Sequence, residues 1–232
     1  MELSSPIDTI KKSFEIFFKK ENLEYFIKIS LVSLFLNVFY LVPNYLRMFG
    51  MEPTTEEMES FFRNPLLTIV VIILSVILIF LGLWAQASMY EAVKRVLGNG
   101  NLDFKDTFKT SKSYILKFLV VNFFVGVVVV LGMLLLVIPG LIFAVWYSFS
   151  VYIVISEGKG SLEAMRSSKA LVKGRFWKVV TRLVVFSLIP FIGGMVVAFI
   201  PYNLGNLLLA LFGGLFTLPY FIFYWELKGK TV

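Results

Sequence analysis

Two residue types are missing from this chain of 232 residues: cysteine and histidine. Without cysteine there is no disulfide, no thiol nucleophile and no thiolate metal ligand. Without histidine there is no imidazole for acid–base work near neutral pH and no imidazole metal ligand. Charge is also scarce. Only 16% of the residues are Asp, Glu, Lys or Arg, where a soluble domain carries roughly 25%. No nucleophile–base pair, no carboxylate pair and no phosphate-cradling glycine loop stands out. Asp103 and Asp106 sit among lysines at a helix start, where acids are expected in any case. These absences leave no cofactor, no metal and no catalytic residue to assign.

What fills the space is apolar. The chain is 58% hydrophobic, with a mean hydropathy of +0.84. Six apolar stretches lie near Tyr25–Leu46, Pro65–Tyr90, Tyr114–Val137, Pro139–Ser156, Val179–Ile200 and Leu204–Trp225. Most reach the ~20 residues that a helix needs to cross a hydrocarbon core of about 30 Å. The basic residues fall in alternate connections. Twenty of the 22 Lys and Arg lie in the N-terminal arm, the second and fourth connections and the tail, and only Arg47 and Arg63 lie elsewhere. Loops rich in Lys and Arg stay cytoplasmic. The pattern therefore predicts six spans with both termini inside, in the cell (plasma or inner) membrane. The same asymmetry accounts for the net charge of +7 without nucleic acid, because no basic patch lies on a separate soluble domain. The first 24 residues mix both charges and precede no small-residue cleavage site, so the first span reads as a retained anchor.

Three segments share one grammar, which predicts internal repeats over 1–98, 99–158 and 159–232 of a single membrane domain. Each opens with a polar cap, at Ser5-Pro6-Ile7-Asp8, Asn101-Leu102-Asp103 and Ser161-Leu162-Glu163. A lysine (Lys20, Lys117, Lys178) leads into a span that ends at a proline (Pro43, Pro139, Pro201), at spacings of 23, 22 and 23 residues. The fold expected is all-α: six transmembrane helices as three hairpins, each preceded by a cytoplasmic-side amphipathic helix. In the first, Ile7, Ile10, Phe14 and Phe17 recur at helical spacing, away from Lys11, Lys12, Lys19 and Lys20. The second sets Phe104, Phe108, Ser111 and Ile115 beside Lys105, Lys109 and Lys112. The third carries Leu162, Met165 and Val172 with Arg166, Lys169 and Lys173, and Gly174 is placed to end it. Such basic helices either lie in the headgroup plane, engaging anionic lipid, or pack as a floor under the bundle.

The outer loop from Arg47 to Asn64 is acidic, with Glu52, Glu56, Glu57 and Glu59. Thr54 and Glu57 form a capping-box pattern, so a short helix is expected there, with a surface on which a membrane-protein partner could dock. Inside the spans the charged residues keep to the ends. Glu91 is expected to pair with Lys117, and Glu226 with Lys178 or Arg182. No ionisable side chain reaches the midplane, which argues against ion-coupled transport. The intramembrane polar residues of most interest are Asn37, Gln86 and Asn122, either joining helices or lining a polar path. Gly140/Ala144, Gly194/Ala198 and Ala210/Gly214 are small pairs that let helices approach closely.

A resemblance attaches to Leu131–Val185. Gly132-Met-Leu-Leu-Leu-Val-Ile-Pro-Gly-Leu-Ile142 is followed by Glu157-Gly158, Ser161-Leu-Glu-Ala164, Ser167-Ser168-Lys169 and Leu171-Val-Lys-Gly-Arg-Phe-Trp177. This resembles the multi-pass membrane domain of glycerophosphoryl diester phosphodiesterases, over about a quarter of the chain. In fused members of that family a separate soluble barrel carries catalysis, and this chain has no such barrel. The resemblance therefore implies a membrane module and transfers no active site. The function expected is a non-enzymatic membrane protein that engages lipids, in lipid or amphiphile handling or in membrane organisation. A transporter, or a membrane subunit of a larger complex, is the alternative, and an enzyme acting on lipid is third. A polar cavity joining Asn37, Gln86 and Asn122 would favour transport.

Overall fold

A computed structural model describes residues 3–48, 54–200 and 202–230. Among the described residues the chain is helical, with no strand. The helices are α1 (Pro6–Phe17), α2 (Lys20–Met48), α3 (Thr55–Arg63), α4 (Pro65–Leu97), α5 (Phe104–Leu135), α6 (Val137–Tyr147), α7 (Ser150–Glu157), α8 (Ser161–Val172), α9 (Phe176–Val197), α10 (Tyr202–Leu211) and α11 (Gly213–Leu227). Among the described residues, five helical stretches are long and apolar enough to cross a membrane: Pro65–Leu97, Phe104–Leu135, Val137–Glu157, Phe176–Val197 and Leu208–Leu227.

Local chemistry sets the helix ends. Ser5 caps α1 by accepting from the Asp8 amide at 3.1 Å, with Pro6 in the first turn. Asp103 caps α5 through the Asp106 amide at 2.8 Å. The capping box on α3 forms in both directions: the Thr54 amide donates to Glu57, and the Glu57 amide donates to Thr54 Oγ1. Gly174, at φ +81°, turns the chain after α8 in a conformation that a side chain would strain.

Two expectations are corrected. The second amphipathic segment is not a separate helix. It is the beginning of α5, which runs unbroken for 32 residues because neither glycine nor proline interrupts it before Gly126. The proline turns are also displaced. The break between α5 and α6 falls at Leu136, whose backbone is extended, and Pro139 sits inside the first turn of α6. The physical reason is steric. The proline ring clashes with the carbonyl four residues back, at Leu135, so the helix has to stop there. α2 continues past Pro43 to Met48, while Pro201 lies outside the described residues.

The buried core lies toward one end. It gathers Phe17, Phe26, Ala92, Phe149, Ile153, Leu218 and Phe221 through Tyr224, from α1, α2, α4, α7 and α11 with the loop before α7. Aromatic rings pack edge to face within it, Phe149 on Phe223 at 5.7 Å and Tyr152 on Phe221 at 5.2 Å. The other end is apolar and exposed: Leu66–Phe80 of α4, Leu134–Ile138 around the α5–α6 break, Leu188–Val196 of α9 and Phe199 after it present many outward-facing Leu, Ile, Val and Phe. A surface of that size would aggregate in water and suits hydrocarbon. α5 and α6 meet at Gly132 and Gly140. A Cβ on Gly140 would stand 2.7 Å from the Met133 amide nitrogen, so only glycine permits this approach.

Candidate functional site

The basic residues named from the sequence gather at the core end. Ser4, just before α1, bonds to Glu226 near the end of α11. The start of α5 is tied to the end of α4, Arg95 donating to Asp106 at 2.8 Å. The start of α8 is held where α7 finishes, Ser161 donating to the Lys117 carbonyl and Lys117 to the Gly158 carbonyl. Lys11, Lys19, Lys20, Lys105, Lys109, Lys112, Arg166, Lys169 and Lys173 are all exposed, and Lys12 is half-buried. Lys169 also lies over the Trp146 ring at 4.1 Å.

α1 is two-sided in a way the apolar stripe does not predict. The face against the bundle carries Thr9, Ser13 and Phe17, all buried. The two hydroxyls are satisfied by their own helix, Ser13 donating to the Thr9 carbonyl at 2.7 Å and Thr9 to the Ser5 carbonyl at 3.1 Å. Ile7, Phe14 and Phe18 are exposed, at 62%, 39% and 52%. With Lys11 they make one outward stripe at i, i+4, i+7 and i+11. Ile10 and Ile16 pack partly on the core.

Three carboxylates stand near the ends of α4, α7 and α11. Glu91, 2% exposed, accepts from Lys94 at 3.2 Å, Arg95 at 3.1 Å and the Tyr114 hydroxyl at 3.2 Å. It does not pair with Lys117. Residues three and four further along the same helix reach it first, and Lys117 is taken by Gly158. Glu157 accepts from Lys228 at 2.8 Å, Lys159 at 3.1 Å and Tyr224 at 2.6 Å. The hydrogen bond to Glu157 holds the Lys159 ammonium above its usual range. Glu226 bonds to Ser4, whose carbonyl accepts from Arg182 at 2.7 Å. Ser4 thus stands between Glu226 and Arg182, where a direct pair of Glu226 with Lys178 or Arg182 was expected. These ties fasten helix ends together, and sequence reasoning missed Ser4, Tyr114 and Tyr224 because no local pattern marks them.

Of the three intramembrane polar residues, the two whose side chains are described are not brought into the core. Gln86 and Asn122 are exposed, and Asn122 turns its amide back to the Phe118 carbonyl at 2.8 Å. Asn37 lies outside the residues whose side chains are described. No group of three acidic residues capable of holding a metal occurs among the described residues.

An apolar groove of about 460 Å³ opens between α9, α10 and α11, with Phe14 of α1 on its wall. Ile189, Gly193 and Val196 line one side and Leu209, Phe212 and Phe216 another. Every lining residue is apolar. Gly193 keeps the floor open, since a Cβ there would already touch Leu209 at 3.4 Å. Nothing in the sequence marks this groove except the paired glycines at 193 and 194.

Compared with known proteins, the chain matches no family model, no curated protein and no solved structure.

Proposed function

We propose that this chain is a non-enzymatic multi-pass membrane protein that engages anionic lipid through its basic end. In this reading it crosses the membrane six times, α2 supplying the sixth span. Both termini and the basic connections face the cytoplasm of the cell membrane, and three hairpin repeats build one domain. The resemblance to the phosphodiesterase membrane domain supports a membrane module. The observation that carries the lipid reading is the outward stripe Ile7–Lys11–Phe14–Phe18 on α1, together with the exposed lysines of α1, α5 and α8. A helix held to the bundle by one face and offering apolar groups plus cations on the other suits the headgroup boundary. The floor and headgroup readings of α1 are then both satisfied, by different faces.

The test is boundary-lipid selectivity. In the reconstituted protein, spin-labelled phosphatidylglycerol should associate several-fold more than spin-labelled phosphatidylcholine at low salt. Each lysine near an anionic surface contributes about 1 kcal/mol. The preference should shrink in about 1 M salt, where the Debye length falls to ~3 Å. Equal association of the two lipids at low salt would remove the electrostatic reading.

A further inference from the structure

We infer that the groove between α9, α10 and α11 is a binding site for one acyl chain of an anionic phospholipid, with the headgroup held beside α1. The inference rests on the membrane reading above and adds a discrete site to it. The occupant follows from the groove's surroundings. Its α9 wall continues into Ile192 and Val196, which are 57% and 60% exposed on an apolar surface suited to hydrocarbon. What can enter from that side is lipid. From Ile189 to Val197 the α9 wall rises through eight residues, about 12 Å at the helical rise, with Ile200 in the turn beyond. That is most of one leaflet of a hydrocarbon core of ~30 Å.

The charge at the groove's end selects the headgroup. Phe14 closes the wall on the α1 side, and Lys11 lies one turn before it on the same outward stripe. Asp8 and Glu15 stand three residues before and four after Lys11, about 60° and 40° round the helix from it, and both are exposed. The headgroup phosphate therefore competes with them for the ammonium, and Arg182 supplies the second cation. On α9, Arg182 lies two turns before Ile189, on the same face. An apolar slot of most of a leaflet's depth with cations at its cytoplasmic end matches a phospholipid with a negative headgroup. It does not match a polar solute, since no lining residue offers a hydrogen bond.

The experiment is native mass spectrometry of the delipidated full-length protein in detergent, titrated with phosphatidylglycerol or phosphatidylcholine. One phosphatidylglycerol should bind at least tenfold more tightly than further copies. Gly193→Phe, which fills the floor of the groove, should weaken both lipids at least tenfold. Lys11→Glu should remove only the preference for phosphatidylglycerol. Should Gly193→Phe fail to fold, Val196→Trp makes the same test from the exposed rim. If the groove variant binds as the parent does while Lys11→Glu loses the preference, the groove inference falls and the headgroup reading stands. If the parent binds many copies with no first tight one, the discrete site is overturned, whatever the boundary selectivity shows.

Discussion

The Ser168 hydroxyl donates to the Trp146 carbonyl at 2.7 Å, and the same oxygen accepts from the Phe149 amide at 3.1 Å. Ser168 is fully buried in α8, and the two backbone groups lie on either side of the break between α6 and α7. One side chain therefore splints a broken helix, taking the donor and acceptor that the break leaves free. Ser168→Ala should cost about 2 kcal/mol, since both backbone groups lose a partner in a dry setting. In a detergent melt this corresponds to a fall of roughly 4–8 °C. Ser167→Ala, at a half-buried neighbouring position, should move the midpoint far less. Equal effects would deny Ser168 the splint role.

Tyr224 offers the next measurement. Its hydroxyl donates to Glu157, which also meets Lys228 and Lys159. Tyr224→Phe leaves both cations in place, so a loss of about 1 kcal/mol is expected. After Glu157→Gln the same change should cost less, because the acceptor has lost its charge. Additive effects in this double-mutant cycle would show that the two groups are not coupled.

Packing makes a sharper prediction at Gly214. A Cβ there would stand 2.7 Å from the Phe26 ring. Gly214→Ala should destabilise by about 1–3 kcal/mol through overpacking. Adding Phe26→Leu should recover part of the loss. A Gly214→Ala protein with an unchanged melting midpoint would contradict the close approach of α2 and α11.

Topology can be read chemically because the chain has no native cysteine. Lys109→Cys and Lys169→Cys place single thiols at exposed positions. Both should react with a membrane-impermeant maleimide only after cells are opened. Labelling of either in intact cells would overturn the six-span orientation.

The features legible in the sequence were those set within a few residues. The caps at Ser5, Asp103 and Thr54 and the stop at Gly174 need only their neighbours along the chain, and each is found as read. Glu91 was legible in part: Lys94 and Arg95 lie three and four residues on along α4, whereas the Tyr114 hydroxyl reaches it from α5 and no local pattern marks that contact. The face of α1 was legible in part: its apolar stripe left headgroup plane and bundle floor both open, and the structure divides the stripe, burying Phe17 while Ile7 and Phe14 stay exposed. Thr9 and Ser13 can be buried because their hydroxyls are already satisfied by the turn below. The groove was illegible because it arises where three helices fail to close against one another, and no single helix carries that information.

The bond between Ser4 and Glu226 joins positions 222 residues apart, and it sets an order of assembly. α1 leaves the ribosome before α11, and its partner face there is made about two hundred residues later. At a synthesis rate of about 5–20 residues per second, α1 waits on the order of ten seconds or more with Phe17 and its outward stripe both uncovered. Meanwhile the intervening helices are being inserted. During that interval the membrane surface is the nearest apolar shelter available to it. On the proposed lipid reading, the exposed stripe would then be what keeps the nascent arm from aggregating before its seat exists.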